Sequence, residues 1–170
     1  MSQVSMELSR ILIRELNDYQ LIELREIEGD RSFPIVIGLP EAQEIERRLK
    51  SADTKRPLTH QLLCNVLLEL GAALESVTIN DLSDHTFFAT LDVRKPSGEE
   101  AHVDARPSDA IALAVAVGSP IYVEERVLDE AVRDFEDEDA FDAGFGDFSI
   151  DDDDDDDDDD EDDDAGESQL

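Results

Sequence analysis

The chain has 170 residues, about one domain's worth, with 14 Lys+Arg against 46 Asp+Glu and a formal net charge of −32. From Asp134 to Leu170 there are 22 acids and no base, which leaves residues 1–133 with 24 acids, 14 bases and a charge near −10. A field of this sign repels nucleic acid and anionic lipid, so any work on phosphates must rest on a local basic patch or a bound cation.

The opening Met1-Ser2-Gln3-Val4-Ser5 has no basic region followed by an apolar run, so no signal peptide is expected. No apolar run of about 18 residues follows, so no membrane span is expected either. Cys64 stands alone, which excludes a disulfide framework and a Cys-based zinc site and points to a reducing, cytoplasmic setting.

Val4 to Leu12 and Tyr19 to Ile27 read as strands around an Asn17-Asp18 turn, with Val4 to Leu12 a candidate sheet edge. After Glu28-Gly29-Asp30-Arg31, Phe33 to Ile37 forms a third strand. Pro40 then suits the first residue of a charged, exposed helix through Leu49. Beyond a polar connection, Thr59 is the expected N-cap of a helix to Leu70, with Leu62, Leu63, Val66, Leu67 and Leu70 on one face. Strands are expected over Leu74 to Leu82, Thr86 to Val93 and Ala101 to Ala105. Pro107 opens a third helix through Val117, apolar almost all round and therefore buried. A short strand at Ile121 to Val123 and a helix from Val127 to Phe135 close the domain.

This order predicts an α+β fold, with helices packed on a mixed β-sheet. It also contains a βββα unit twice, ending in Leu39-Pro40-Glu41-Ala42 and again in Arg106-Pro107-Ser108-Asp109-Ala110. An internal duplication explains the likeness; two ordinary strand-to-helix turns would give it as well. The expected division is a domain over 1–133 and a disordered acidic tail over 134–170. Asp151 to Asp164 is fourteen consecutive acids, which repel one another and cannot build a core. Phe135, Phe141, Phe145 and Phe148 stud the approach to that run, a pattern that can dock on a protein partner. Plain solubility explains the tail equally simply.

The densest polar cluster is Asp104-Ala105-Arg106-Pro107-Ser108-Asp109, where a strand hands over to a helix and free N–H groups point outward. Arg106 could grip a phosphate, and Asp104 with Asp109 could hold Mg²⁺ or Mn²⁺. Asp109 could equally be a simple helix-capping acid, with Arg106 its ion-pair partner. Arg56-Pro57-Leu58-Thr59-His60 is the second cluster, with His60 a candidate general acid or base near neutral pH. Arg47, Arg48, Lys50, Lys55 and Arg56 are the only basic concentration, interrupted by Glu44, Glu46 and Asp53.

Those two clusters, followed by Ala110-Ile111-Ala112-Leu113-Ala114 and Pro120-Ile121-Tyr122-Val123, resemble the bifunctional nuclease domain family. The resemblance runs from about Met6 to Val132. It implies an α+β fold, a dimer, and degradation of both RNA and DNA. The matched positions are Arg56, Thr59, His60, Asp104, Arg106, Ser108 and Asp109. The resulting expectation is a metal-dependent nuclease of low sequence specificity. In it His60 moves the proton, Arg106 steadies the phosphate, and Asp104 and Asp109 hold Mg²⁺ or Mn²⁺. Arg56, Thr59 and Ser108 then contact substrate. The competing expectation is a non-catalytic regulatory module in which the Arg106 cluster binds a small anion or a protein partner. Convergence of His60 on the Asp104–Asp109 turn separates the two.

Overall fold

A computed structural model of the protein describes residues 2–13, 19–52 and 54–136. They form β1 (Gln3–Leu12), β2 (Gln20–Glu26), β3 (Ser32–Ile37), α1 (Leu39–Leu49), α2 (Thr59–Glu69), β4 (Ala73–Ser83), β5 (Thr86–Arg94), β6 (Glu100–Ala105), α3 (Pro107–Val117), β7 (Ile121–Glu124) and α4 (Glu125–Glu136). The fold is α+β, as expected. The Asn17-Asp18 turn lies outside the described residues, as does the tail beyond Glu136. Helix α4 ends at Glu136, one residue past the Phe135 expected from the sequence.

Period-two burial builds the strands. Val4 and Met6 of β1 point inward, as do Phe33, Ile35 and Ile37 of β3, while their neighbours face out. The seven strands form one sheet in the order β3-β2-β1-β7-β4-β5-β6. Strand β1 therefore lies inside the sheet, hydrogen-bonded to β2 on one side and β7 on the other, and not at an edge as its sequence suggested. The edges are β3 and β6.

The two βββα units flank β7. Because β7 runs antiparallel to β1 and parallel to β4, the two three-stranded meanders run in opposite directions. That is the relation an approximate two-fold axis through the sheet requires, and it places α1 beside α3. The sheet also curls, bringing the Phe33 ring of β3 within 5.4 Å of Phe87 on β5.

Helix α3 is buried from Pro107 through Ala114, apart from the half-exposed Asp109. Its alanines let the backbone approach the sheet closely. Gly118 ends it in the left-handed region (φ 74°), where a side chain would be strained, and donates to the Ala114 carbonyl at 2.8 Å.

Two helices differ from their sequence readings. Helix α1 begins at Leu39, so Pro40 is its second residue, and it buries Ala42, Glu44 and Ile45 against the expectation of an exposed helix. Helix α2 is capped by the Leu58 backbone, and Thr59 is already helical, without a side-chain cap. No residue of α2 is buried. Leu62, Leu63, Val66 and Leu70 of its apolar face are between 41% and 67% exposed, and Leu67 alone of that face packs on the core.

Candidate active site

The site forms where α3 starts. Arg106 is the N-cap residue in extended backbone, and Pro107, which has no N–H, takes the first helical position. The first free N–H groups therefore belong to Ser108 and Asp109, at the positive end of the helix dipole. Asp109 occupies the third helical position, where an acid suits that dipole.

Asp109 holds two partners at once. Its Oδ2 accepts from Arg106 Nε at 2.7 Å, and its Oδ1 accepts from Arg106 Nη2 at 3.1 Å. The same Oδ1 lies 2.9 Å from Nε2 of His60, which α2 delivers on its first turn. An ionised carboxylate only accepts, so Nε2 carries the bridging hydrogen, and Nδ1 of the neutral ring keeps its lone pair. Burial pushes the Asp109 carboxyl up, but the hydrogen bonds from Arg106 and His60 outweigh that and hold it below the ordinary carboxylate range. The group is fully ionised at neutral pH. Arg106, paired with Asp109 and Glu41, is pushed further up and stays charged.

Glu41 is the member that sequence reasoning missed. Its Oε1 accepts from Arg106 Nη2 at 2.6 Å, and its side chain is only 14% exposed. It occupies the third position of α1, as Asp109 does of α3, so the two repeated units each send one acid to the same guanidinium. The signal was present in the repeated Pro-then-acid pattern at Pro40-Glu41 and Pro107-Ser108-Asp109.

Of the residues expected from sequence, His60, Arg106 and Asp109 come together, and Ser108, buried, lies beside them. Asp104 is exposed on the edge strand β6, opposite Thr90 in the ladder, and takes no part in the network. Arg56 and Thr59 are exposed just ahead of His60. The other basic residues are partly consumed locally: buried Glu44 pairs with Arg47 at 2.6 Å and Arg48 at 2.9 Å.

These side chains do not fit a divalent cation as they stand. Asp109 turns both oxygens to Arg106 and His60, and a guanidinium fills the space between Glu41 and Asp109. Among the described residues, no group of three or more His, Cys, Asp or Glu is placed to hold a metal ion. What the arrangement offers is an acid-oriented imidazole beside a cationic N-cap. Nη1 of Arg106 and the Ser108 and Asp109 N–H groups are its anion donors.

The family profile described as the bifunctional nuclease domain matches residues 22–136. The chain belongs to the bifunctional nuclease domain family. Two uncharacterized proteins of Mycobacterium tuberculosis, from strains CDC 1551 and ATCC 25618 / H37Rv, are each 41% identical to it over 133 residues. The match covers 76% of this chain and 79% of each relative. The family match spans α1, α2 and α3, and so contains every member of the Glu41–Arg106–Asp109–His60 network. Among the described residues, no helix is long and apolar enough to cross a membrane.

Proposed function

We propose that this network hydrolyses phosphodiester bonds of RNA and DNA with low sequence specificity, in a cytoplasmic setting. The carrying observation is the 2.9 Å contact that couples His60 to the Arg106-bound Asp109. Nδ1 of His60 takes a proton from the attacking water as its oxygen bonds to phosphorus. The phosphorus–oxygen ester bond breaks, and the imidazolium returns the proton to the departing oxygen. Asp109 positions the ring and steadies its positive charge. Arg106 and the α3 N-terminus take up the charge on the phosphate oxygens. Arg56 and Thr59, exposed ahead of His60, suit the flanking backbone of the substrate.

The test is digestion of single-stranded RNA and DNA by the purified chain, with chelator and with added Mg²⁺ or Mn²⁺. Cleavage that requires His60 is expected. Its dependence on added cation measures the metal expectation, for which Asp104 is the one carboxylate of the expected pair left exposed. No cleavage under any condition overturns the nuclease reading.

Glu41 favours a second reading. Two carboxylates on Arg106 already satisfy its guanidinium before substrate arrives, which suits a regulatory module that exchanges one carboxylate for a ligand anion. Oligonucleotide binding without cleavage would select it.

We also propose a homodimer through α2. An apolar row left half-exposed on an otherwise acidic chain is a surface that self-association covers without bringing like charges together. Light scattering at tens of micromolar should report a dimer, and Leu62→Glu should leave a monomer with an unchanged fold. A monomeric parent protein removes the idea.

A further inference from the structure

Beside Arg106 lies a cleft of about 480 Å³, between the edge strand β3 and the β4–β5 hairpin. That volume is within the range of small-ligand pockets. Its walls are unusual for this chain. Among the described residues, none that line the cleft is Asp or Glu, in a protein with 46 acids, and Arg106 is the one full charge among them. Ser108 and Pro107, at the α3 N-terminus, close the same end.

Away from that end the cleft turns apolar and aromatic. Tyr19 is 62% exposed at its rim. Phe87 forms part of the wall, fixed from behind by Phe33. Opposite stands His85, at the hairpin tip, where Asp84 and His85 both adopt positive φ (49° and 56°). One long wall is β3 itself. As an edge strand it turns alternate N–H and C=O groups outward, toward whatever occupies the cleft. Pro34 removes one of those donors, and the strand is only six residues long, which together disfavour the addition of a peptide strand.

A charged end for a phosphate, planar side chains at stacking positions and a short row of backbone hydrogen-bonding groups are what one nucleotide with an unpaired base would use. We propose that the cleft is the subsite for a single unstacked nucleobase whose phosphate sits on Arg106 and the α3 N-terminus. The inference rests on the nuclease reading for the position of the phosphate, and it names the substrate class as single-stranded. A base inside a duplex cannot enter without first leaving its stack.

The test separates base recognition from catalysis. Binding of a phosphorothioate oligothymidylate, which resists cleavage, is measured by fluorescence anisotropy against the same strand carrying abasic sites. Tyr19→Ala should weaken binding of the base-bearing strand about tenfold, as stacking on one aromatic implies. It should leave the abasic strand unaffected, and Tyr19→Phe should bind as the parent does. Tyr19 is exposed, so its loss leaves the fold in place, and an unchanged melting temperature confirms that. Equal losses on both strands, no loss on either, or no binding at all overturns the proposal. So does tight binding of an extended peptide that survives Tyr19→Ala and displaces the oligonucleotide. If the parent binds in this base-dependent way but never cleaves, the nuclease reading fails and the base subsite stands.

Discussion

Asp109→Asn will lower the rate of phosphodiester cleavage by about two to four orders of magnitude, the span that a positioned acid–base group commands. An amide presents an N–H₂ where Arg106 and His60 both need an acceptor. The Asp109 oxygens now receive hydrogen bonds from Arg106 at 2.7 and 3.1 Å and meet His60 at 2.9 Å, and an Asn cannot accept all of these. The ring loses its orientation and Arg106 its second anchor. His60→Ala should fall at least as far, since it removes the base itself. The fold should survive both changes, because Arg106 is 65% exposed and ion pairs of that kind contribute about 1 kcal/mol or less. Steady-state rates on a short RNA, alongside thermal melts of each variant, check the expectation. Asp104→Asn should stay within a few-fold of the parent rate. If it falls as far as Asp109→Asn, and only where Mg²⁺ or Mn²⁺ is present, the carboxylate–metal expectation is restored in place of this mechanism.

How far the sequence alone reached follows from which signals are local. Strand and helix order was legible because burial alternates along β1 and β3 and because Pro107 and Gly118 bracket α3. The position of β1 was not legible. It depends on β7, a four-residue strand that arrives after the α3 crossover and inserts between β1 and β4. No pattern within β1 records that non-local pairing. The exposure of α2 was hidden for a similar reason: apolar residues at helical spacing mark a face, not whether the rest of the chain packs on it. His60, Arg106 and Asp109 could be proposed from their residue types, but their contact is set by how α2 meets α3. Glu41 was reachable only by taking the repeat at its word and asking where the first unit's acid would fall when the second unit's was superposed on it.

The network beneath the site carries the largest expected effect on stability. Glu44 is 5% exposed and accepts from Arg47 Nε at 3.0 Å, Arg47 Nη2 at 2.6 Å and Arg48 Nε at 2.9 Å. Arg47 also donates to the Ala52 carbonyl at 2.7 Å, tying α1 to the connection that leads to α2 and His60. Among the described residues, Nη2 of Arg48 is buried without a partner. Glu44→Gln leaves two guanidinium groups facing an amide that can accept only through one oxygen. Removing one member of a buried ion cluster costs about 3–5 kcal/mol, and we expect about 3 here because the arginines remain partly wet. That lowers the melting temperature by roughly 10 °C. The pH dependence has a definite sign. Burial pushes the Glu44 carboxyl up, but its hydrogen bonds to Arg47 and Arg48 outweigh burial and hold it below its ordinary value. A carboxyl lowered in the folded state stabilises fully above its unfolded value, about 4.3, and loses that contribution as pH falls through the folded value. Protonating the other acids of a chain at −32 also relieves self-repulsion, so absolute stability mixes the two effects. The difference between parent and Glu44→Gln isolates one carboxyl. Denaturant melts of both proteins from pH 7 down to pH 3 should show that difference constant above about pH 4.3 and shrinking below it. A difference that stays the same across the whole range would show that Glu44 acts through its shape and not its charge.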